Sequence, residues 1–405
     1  MTEVTIHRLG QKGDGIAEGP VFAPLTLPGE VISGDLQGDT LVNARIVLPS
    51  ADRVSPPCRH FKSCGGCQLQ HASDRFVKDW KADTVRRALA AHGLETEFRP
   101  MHVSPAFSRR RATFAARRTK KGALVGFFAR ASDVIVETPD CTLLHPDLIA
   151  ARPIIETIAE VGSSRKGTLS VMVTRSAIAG LDVAVTGGKP LDGPLRVTLA
   201  ALAATHDLAR LSWEDETVVT RRAPVQVFGR VEVVPPPAAF LQATEEAEKA
   251  LVADVIETMG AGAKIVDLFA GCGTFTLPLA AQGTVHAVEG SRAMTEALDQ
   301  GWRKATGLRG VSIEVRDLFC RPLEPDELGR FDAAVIDPPR AGAEAQIRAL
   351  GGSSISLVSY VSCNPASFAR DARLLVDSGF HLRHLRLVDQ FRWSTHVEIV
   401  AEFTR

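Results

Sequence analysis

The sequence predicts an α/β protein whose C-terminal part is a doubly wound parallel sheet, preceded by an α+β segment and a small β-barrel. Three observations predict it. From residue 264 onward, apolar runs, glycine turns and helical stretches alternate in the manner of βα units. Between about residues 109 and 234, strand-like runs dominate, as an antiparallel sheet with few helices requires. Before residue 49, short β-rich runs are separated by turns at Gly13-Asp14-Gly15, Pro28-Gly29 and Gly38-Asp39. The expected divisions are residues 1–48, 49–236 and 237–405, with "VVPPP", Val233 to Pro237, as the hinge.

A chain of 405 residues exceeds what one core normally serves, and 45% hydrophobic with 23% charged residues is an ordinary globular balance. The formal net charge is zero, which offers a polyanion no global attraction. Its distribution is uneven: eight Lys/Arg and no Asp or Glu lie between Arg99 and Lys121. No basic stretch followed by an apolar run opens the sequence, and no segment has the length to cross a bilayer. A cytoplasmic monomer without a membrane partner is therefore expected. In that compartment thiols stay reduced, and clustered cysteines bind metal more often than they pair.

The first 48 residues hold "EVTIHRL", "PVFAPL", "EVISGDL" and "LVNARIV", each of barrel-strand length. "LPSADRVSPP" then interrupts regular structure with three prolines and leads into "CRHFKSCGGCQLQH", which carries Cys58, Cys64 and Cys67. "DRFVKDWKADTVRRALAAHGL" repeats Phe76, Val77, Trp80, Val85, Leu89 and Leu94 near a helical period, with Gly93 at its end. "RATFAAR", "ALVGFFA", "DVIVET", "LSVMVTR", "GLDVAVT" and "RAPVQVF" read as strands of the middle α+β sheet. Beyond the hinge, "KIVDLF" runs into "AGCGTFTLPLAAQ" and "TVHAVEG" into "SRAMTEALDQGWRKA", followed by "VSIEVRD", "FDAAVIDPPR", "SISLVSYVSCNP" and "HVEIVAEF".

In "VDLFAGCGTFTLPLA", Asp267, Gly271 and Gly273 fall where a strand turns sharply into a helix, so the backbone can approach a ligand. Glu289 ends the next strand and suits ribose hydroxyls; Thr274 and Phe275 stand where a dinucleotide site would have its third glycine, which favours S-adenosylmethionine. Asp317, closing the following strand, suits the adenine side or is a solvated strand end. "VIDPPR" places Asp337 before two prolines that hold the backbone rigid over the cofactor pocket. Cys363 in "SYVSCNP" and Glu398 in "HVEIVAEF" lie at strand ends of the same sheet and read as a nucleophile with a general base, whereas an isolated cysteine there would be a packing residue.

These motifs, in order, resemble the RNA uridine-C5 methyltransferases, and within them the iron-sulfur branch acting on 23S ribosomal RNA. The resemblance spans nearly the whole chain through the N-terminal barrel pattern, "C-x5-CGGC-x-LQH", "DLFAGCGTFTLPLA", and "DPPR" followed by "SCNP" and "HVE". It implies a C-terminal Rossmann-like S-adenosylmethionine-dependent methyltransferase domain, an α+β central domain carrying an iron-sulfur cluster, and a small N-terminal TRAM/OB-like β-barrel. It implies a mechanism in which Cys363 adds to C6 of uracil, C5 takes the methyl, and Glu398 removes the C5 proton. Gln242 in "FLQATEEAEKAL", Phe269, Gly271, Gly273, Thr274, Glu289, Asp317 and Asp337 map onto cofactor contacts. "QAT" departs from the family's usual Asn as third residue.

The resemblance also assigns Cys58, Cys64 and Cys67, with Cys141 in "ETPDCTLLHP", as ligands of a four-iron, four-sulfur cluster; a structural zinc would use the same thiolates. The basic run "SRRRATFAARRTKK" lies between Cys67 and Cys141. Arg109, Arg110, Arg111, Arg117 and Arg118 are expected to contact RNA phosphates, with a flipped or unpaired uridine read in the Cys363 pocket. The expected product is 5-methyluridine in 23S ribosomal RNA. Alternatives are the same chemistry on the T-loop of transfer RNA, or a non-catalytic iron-sulfur RNA-binding protein that leaves Cys363 and Glu398 without a role.

Overall fold

The computed structural model describes residues 2–178 and 180–405. Five strands, β1 (Thr2–Leu9), β2 (Gly15–Ala17), β3 (Val21–Ala23), β4 (Val31–Gln37) and β5 (Thr40–Leu48), close a barrel in the order β1-β2-β3-β5-β4. Alternation along the strands fills its interior with Ile6, Ala17, Ala23, Ile32 and Leu41. Closure leaves this small sheet without a free edge.

The middle segment forms a second sheet. Its strands β7 (Arg111–Thr119), β8 (Gly122–Phe128), β9 (Ile135–Val136), β10 (Leu169–Arg175), β11 (Leu181–Thr186), β12 (Arg210–Trp213) and β13 (Glu216–Thr220) take the order β13-β12-β11-β10-β7-β8-β9. Neighbours are antiparallel except β11 and β12, which are parallel. Helix Arg152–Gly162 buries Ile154, Ile155, Ile158 and Ala159 on one stripe, and these pack with Phe114, Val171, Val183 and Trp213 into one core.

The third sheet combines β6 (Glu97–Val103) with β16 (Lys264–Leu268), β17 (Thr284–Glu289), β18 (Val311–Val315), β19 (Ala333–Ile336), β20 (Leu357–Ser362), β21 (His381–Asp389) and β22 (Glu398–Thr404). Its order is β18-β17-β16-β19-β20-β22-β21-β6. β16 to β20 run parallel, and β22 is antiparallel to both β20 and β21. Helices cover both faces: Val85, Leu89, Leu350 and Phe368 pack on one, Leu251 and Val255 on the other. Chain order reverses between β16 and β19, so the crevice at their carboxyl ends is where a ligand finds room.

Residues 49–236 do not form the single unit expected from the sequence. β6 pairs in parallel with β21, and helix Asp74–Ala90 inserts Val85 and Leu89 into the core of the third sheet. The hairpin of β14 (Gln226–Phe228) and β15 (Val231–Val233) packs Phe228, Val231 and Val233 against Leu277 and Leu298. The apolar faces of these pieces match the third sheet's core rather than the middle sheet's, and that decides where they fold. No helix among the described residues is long and apolar enough to cross a membrane.

Candidate active site

A cavity of about 620 Å³ opens at the switch point. Gln242, Phe269, Gly271, Thr274, Glu289, Asp317 and Asp337 all line it, and so do Cys363 and Glu398. Its floor is the loop after β16, where Phe269 adopts φ 63° and Gly271 φ 57°. A non-glycine residue in the left-handed region is unusual, and here it turns the Phe269 ring toward Phe319, 5.4 Å between centroids. Glu289 holds the loop: its carboxylate accepts from the amide of Gly271 at 3.1 Å and from Ser291 at 2.8 Å. Asp317 accepts from the amide of Phe319 at 2.9 Å. Gly273, expected at the ligand, is buried and absent from the cavity wall. A Cβ there would stand 2.4 Å from Leu298 Cδ1, so close helix packing explains this glycine.

The other end of the cavity gathers acids. Asp267 is fully buried, with one carboxyl oxygen 2.5 Å from the Thr276 hydroxyl and the other without a partner. Burial pushes its pKa up to about 7. Asp337 is half-buried at the cavity wall; burial, and then Asp267, raise its pKa. Burial and then Asp337 likewise raise that of Glu398, while a hydrogen bond from Gln390 opposes the shift. Cys363 is pushed up to about 11, by burial first and then by Glu398 and Asp337, with Arg340 acting the other way. Two carboxyls and a thiol line this end of the cavity, with Asp267 buried behind Asp337, and their ionised forms repel each other. A cationic ligand would relieve that repulsion.

Gln390, Phe391 and His396, which belong to none of the sequence motifs, complete this end. Phe391 and His396 line the cavity, and Gln390 donates 2.7 Å to Glu398 and 2.6 Å to Gln242. Gln242 in turn donates 3.4 Å to Asp337. Phe391 and His396 pack edge to face within their own loop, 5.9 Å between centroids, whereas Gln390 has nothing in its local sequence to mark it because Gln242 and Ala243 lie far away in the chain.

The four cysteines of the proposed ligand set come together across the fold. The isolated bridge between Cys64 and Ala129 ties the "CGGC" turn to the middle sheet, and Gly65 is required there because a Cβ would stand 2.9 Å from Phe128 O. Cys58, Cys64 and Cys141 each raise the pKa of Cys67, which burial, the larger cause, pushes up to about 12. No disulfide joins them. No group of three or more His, Cys, Asp or Glu among the described residues is placed to hold a metal ion.

The basic run is not one surface. Arg110, expected at RNA, is buried: it forms an ion pair with Glu248 and donates 3.1 Å to Gln242 O. An unpaired Glu248 in that interior would be costly, so the ion pair explains the inward turn. Arg111 lies 4.8 Å over the ring of Phe240, a cavity residue, and donates 2.7 Å to Leu241 O. Arg109 is half-buried near Cys67 and Cys141. Arg117 is half-buried and Arg118 exposed on the strand β7.

A family model described as tRNA (Uracil-5-)-methyltransferase matches residues 318–403, the stretch that contains Asp337, Cys363, Gln390 and Glu398. An RNA methyltransferase of Brucella suis, described as uncharacterized, is 41% identical over 406 residues, covering 100% of this chain and 98% of its own. The 23S rRNA (uracil(1939)-C(5))-methyltransferase RlmD of Halomonas elongata is 33% identical over 427 residues, 98% of this chain and 88% of its own. Among solved structures, the tRNA (uracil-54, C5)-methyltransferase of Pyrococcus abyssi in complex with S-adenosyl-L-homocysteine aligns with a TM-score of 0.77 at 22% identity. The alignment covers 100% of both chains, a likeness of fold.

Proposed function

The chain belongs to the RNA (uracil-C5) methyltransferase family, and from that premise we propose that it methylates a uridine of 23S ribosomal RNA through a covalent bond from Cys363 to C6. The observation that carries this reading is the convergence of a thiol and a buried carboxyl, Cys363 and Glu398, on one cavity. S-adenosylmethionine supplies an electrophilic methyl on a sulfonium. The residues present fit it: the mutually repelling carboxyls of Asp337 and Glu398 at the cavity wall favour a cation. Glu289 would serve the ribose hydroxyls and Asp317 the adenine side, with Gln242, Phe269, Gly271, Thr274 and Asp337 completing the contacts.

Uracil C5 is too weak a nucleophile to take the methyl unaided. Cys363, having lost its proton, adds as the thiolate to C6, and the electron pair of the C5–C6 double bond moves toward O4, which makes C5 nucleophilic. C5 takes the methyl as the sulfonium's S–C bond breaks and a neutral thioether is released, and Glu398 then removes the C5 proton. The freed pair restores the double bond, and Cys363 leaves as a thiolate. The uridine must leave its stack to reach a thiol at the cavity's end, which suits a single-stranded or extruded base.

Cys58, Cys64, Cys67 and Cys141 would hold a four-iron, four-sulfur cluster away from this chemistry. What supports this reading is the donor chemistry rather than a formed site: Cys64 Sγ accepts from Gly66 N at 3.4 Å, Cys141 accepts from the amides of Leu143 and Leu144, and Arg109 lies beside two of the thiols. Such bonds stabilise thiolate ligands. A single zinc would need four sulfurs at about 2.3 Å from one point. Protein purified without oxygen is expected to carry about four iron atoms per chain and matching acid-labile sulfide; stoichiometric zinc with no iron would exclude the cluster.

The name of the Halomonas relative supports ribosomal RNA, and those of the family model and the Pyrococcus structure support transfer RNA. Mapping 5-methyluridine in both RNA classes from cells with and without the protein separates the two. Loss at a 23S position with transfer RNA unchanged is expected. Loss confined to transfer RNA would replace the substrate and leave the chemistry in place.

A further inference from the structure

We propose that Gln390 is a positioning residue that aligns Glu398 and Asp337 by fixing the direction of a chain of side-chain amides. The proposal rests on the reading of Glu398 as the C5 base. The chain starts at a backbone group that can only donate. Ala243 N donates to Gln390 Oε1 at 2.6 Å, which turns Gln390 Nε2 the other way. That nitrogen donates to Gln242 Oε1 at 2.6 Å and to Glu398 Oε2 at 2.7 Å, using both its hydrogens. Gln242, its oxygen engaged, must present Nε2 to Asp337 Oδ2, 3.4 Å away. One backbone amide thereby orients two amides and, through them, two carboxyls.

The scaffold around the chain is rigid. Gln242, Gln390 and Glu398 are 3%, 1% and 3% exposed, so none can be turned by solvent. Next to Gln390, Asp389 accepts 2.7 Å from the fully buried Lys81, and its carbonyl accepts 3.0 Å from Ser104 N. Next to Ala243, Thr244 shares a 2.7 Å hydrogen bond with the Ser104 hydroxyl. Ser104 therefore clamps the segments carrying both amides.

For the reaction, this leaves Glu398 Oε1 as the oxygen without a donor from Gln390. The charged or titratable groups facing Glu398 are Asp337 after β19 and Cys363 after β20, with Asp267 behind Asp337 and Arg340 and His396 at the cavity wall. The Gln390 donor favours the ionised carboxylate against burial and Asp337. Without it the base stays protonated to higher pH.

Gln390→Met keeps the length and removes the amide. In the full chain, with S-adenosylmethionine and RNA carrying tritium at uridine C5, release of tritium should fall by roughly 10- to 100-fold, part of what a general base supplies. The covalent adduct should accumulate, its pH-dependent decay should move to higher pH, and KM for RNA should stay within about threefold. Gln390→Glu retains an acceptor for Ala243 N but sets a carboxyl against Glu398, and should move the decay further. If both variants fold and neither accumulates adduct nor shifts its decay, the proposal is wrong; if Gln390→Met fails to fold, Gln390→Glu decides. Glu398→Gln run in parallel separates the readings. Wild-type tritium release from that variant would overturn the base itself, whereas slow release with unaffected Gln390 variants would overturn only the role of Gln390.

Discussion

Replacing Cys363 by alanine abolishes methyl transfer to RNA, a loss of at least about 10⁴-fold in kcat/KM, as expected when a covalent step is deleted rather than weakened. Of the other cysteines near the cavity, Cys272 lines it but is buried with its sulfur against Met294, and the exposed Cys320 does not line it. Burial, with Glu398 and Asp337 beside it, pushes the Cys363 thiol up to about 11, so the protein alone keeps it almost wholly protonated at neutral pH. Its activation therefore comes with the ligands. Burial is the larger cause of that rise, and a sulfonium among the carboxyls offsets what Glu398 and Asp337 add to it, so the nucleophile is armed when the methyl donor is in place. Transfer of labelled methyl from S-adenosylmethionine to RNA checks the loss. Cys320→Ala, measured beside it, is expected to keep the wild-type rate.

Glu398→Gln gives the opposite kind of failure. Addition of Cys363 and methylation of C5 still proceed, but the C5 proton has no base, so protein and RNA accumulate as an adduct that survives denaturation. A band of the combined mass on a denaturing gel checks it. The same variant reports on the cost of the site. The folded protein raises the pKa of Glu398 above its unfolded value of 4.5. Its contribution to stability is thus fully present below that value and is lost as pH rises through the elevated one. Glutamine carries no such penalty. Glu398→Gln should melt above wild type at pH 8, and the gap should close toward pH 4.

Much of this site can be read from sequence because buried parallel strands need continuous apolar runs ended by glycine or proline. "KIVDLF", "TVHAVEG", "FDAAVIDPPR" and "SISLVSYVSCNP" mark β16, β17, β19 and β20, and the acids at their ends follow from that placement. What escapes is set by distant partners. "EFRPMHV" lacks alternation and contains Pro100, which an edge strand tolerates; β6 is such an edge, and only tertiary packing chooses its sheet. Arg110 belongs by composition to a charged face, yet it turns inward to Glu248, 138 residues away. Gln390 is one polar residue between Asp389 and Phe391 until the fold brings Gln242, Ala243 and Glu398 around it.

The central claim is a bond between Cys363 and uracil C6. Nuclease and protease digestion of the Glu398→Gln adduct, followed by mass spectrometry of the cross-linked peptide, tests it most directly. The predicted result is one methylated uridine nucleotide on Cys363 of the "SYVSCNP" segment. A nucleotide on any other cysteine, or methylated RNA released with no adduct at all, would contradict it.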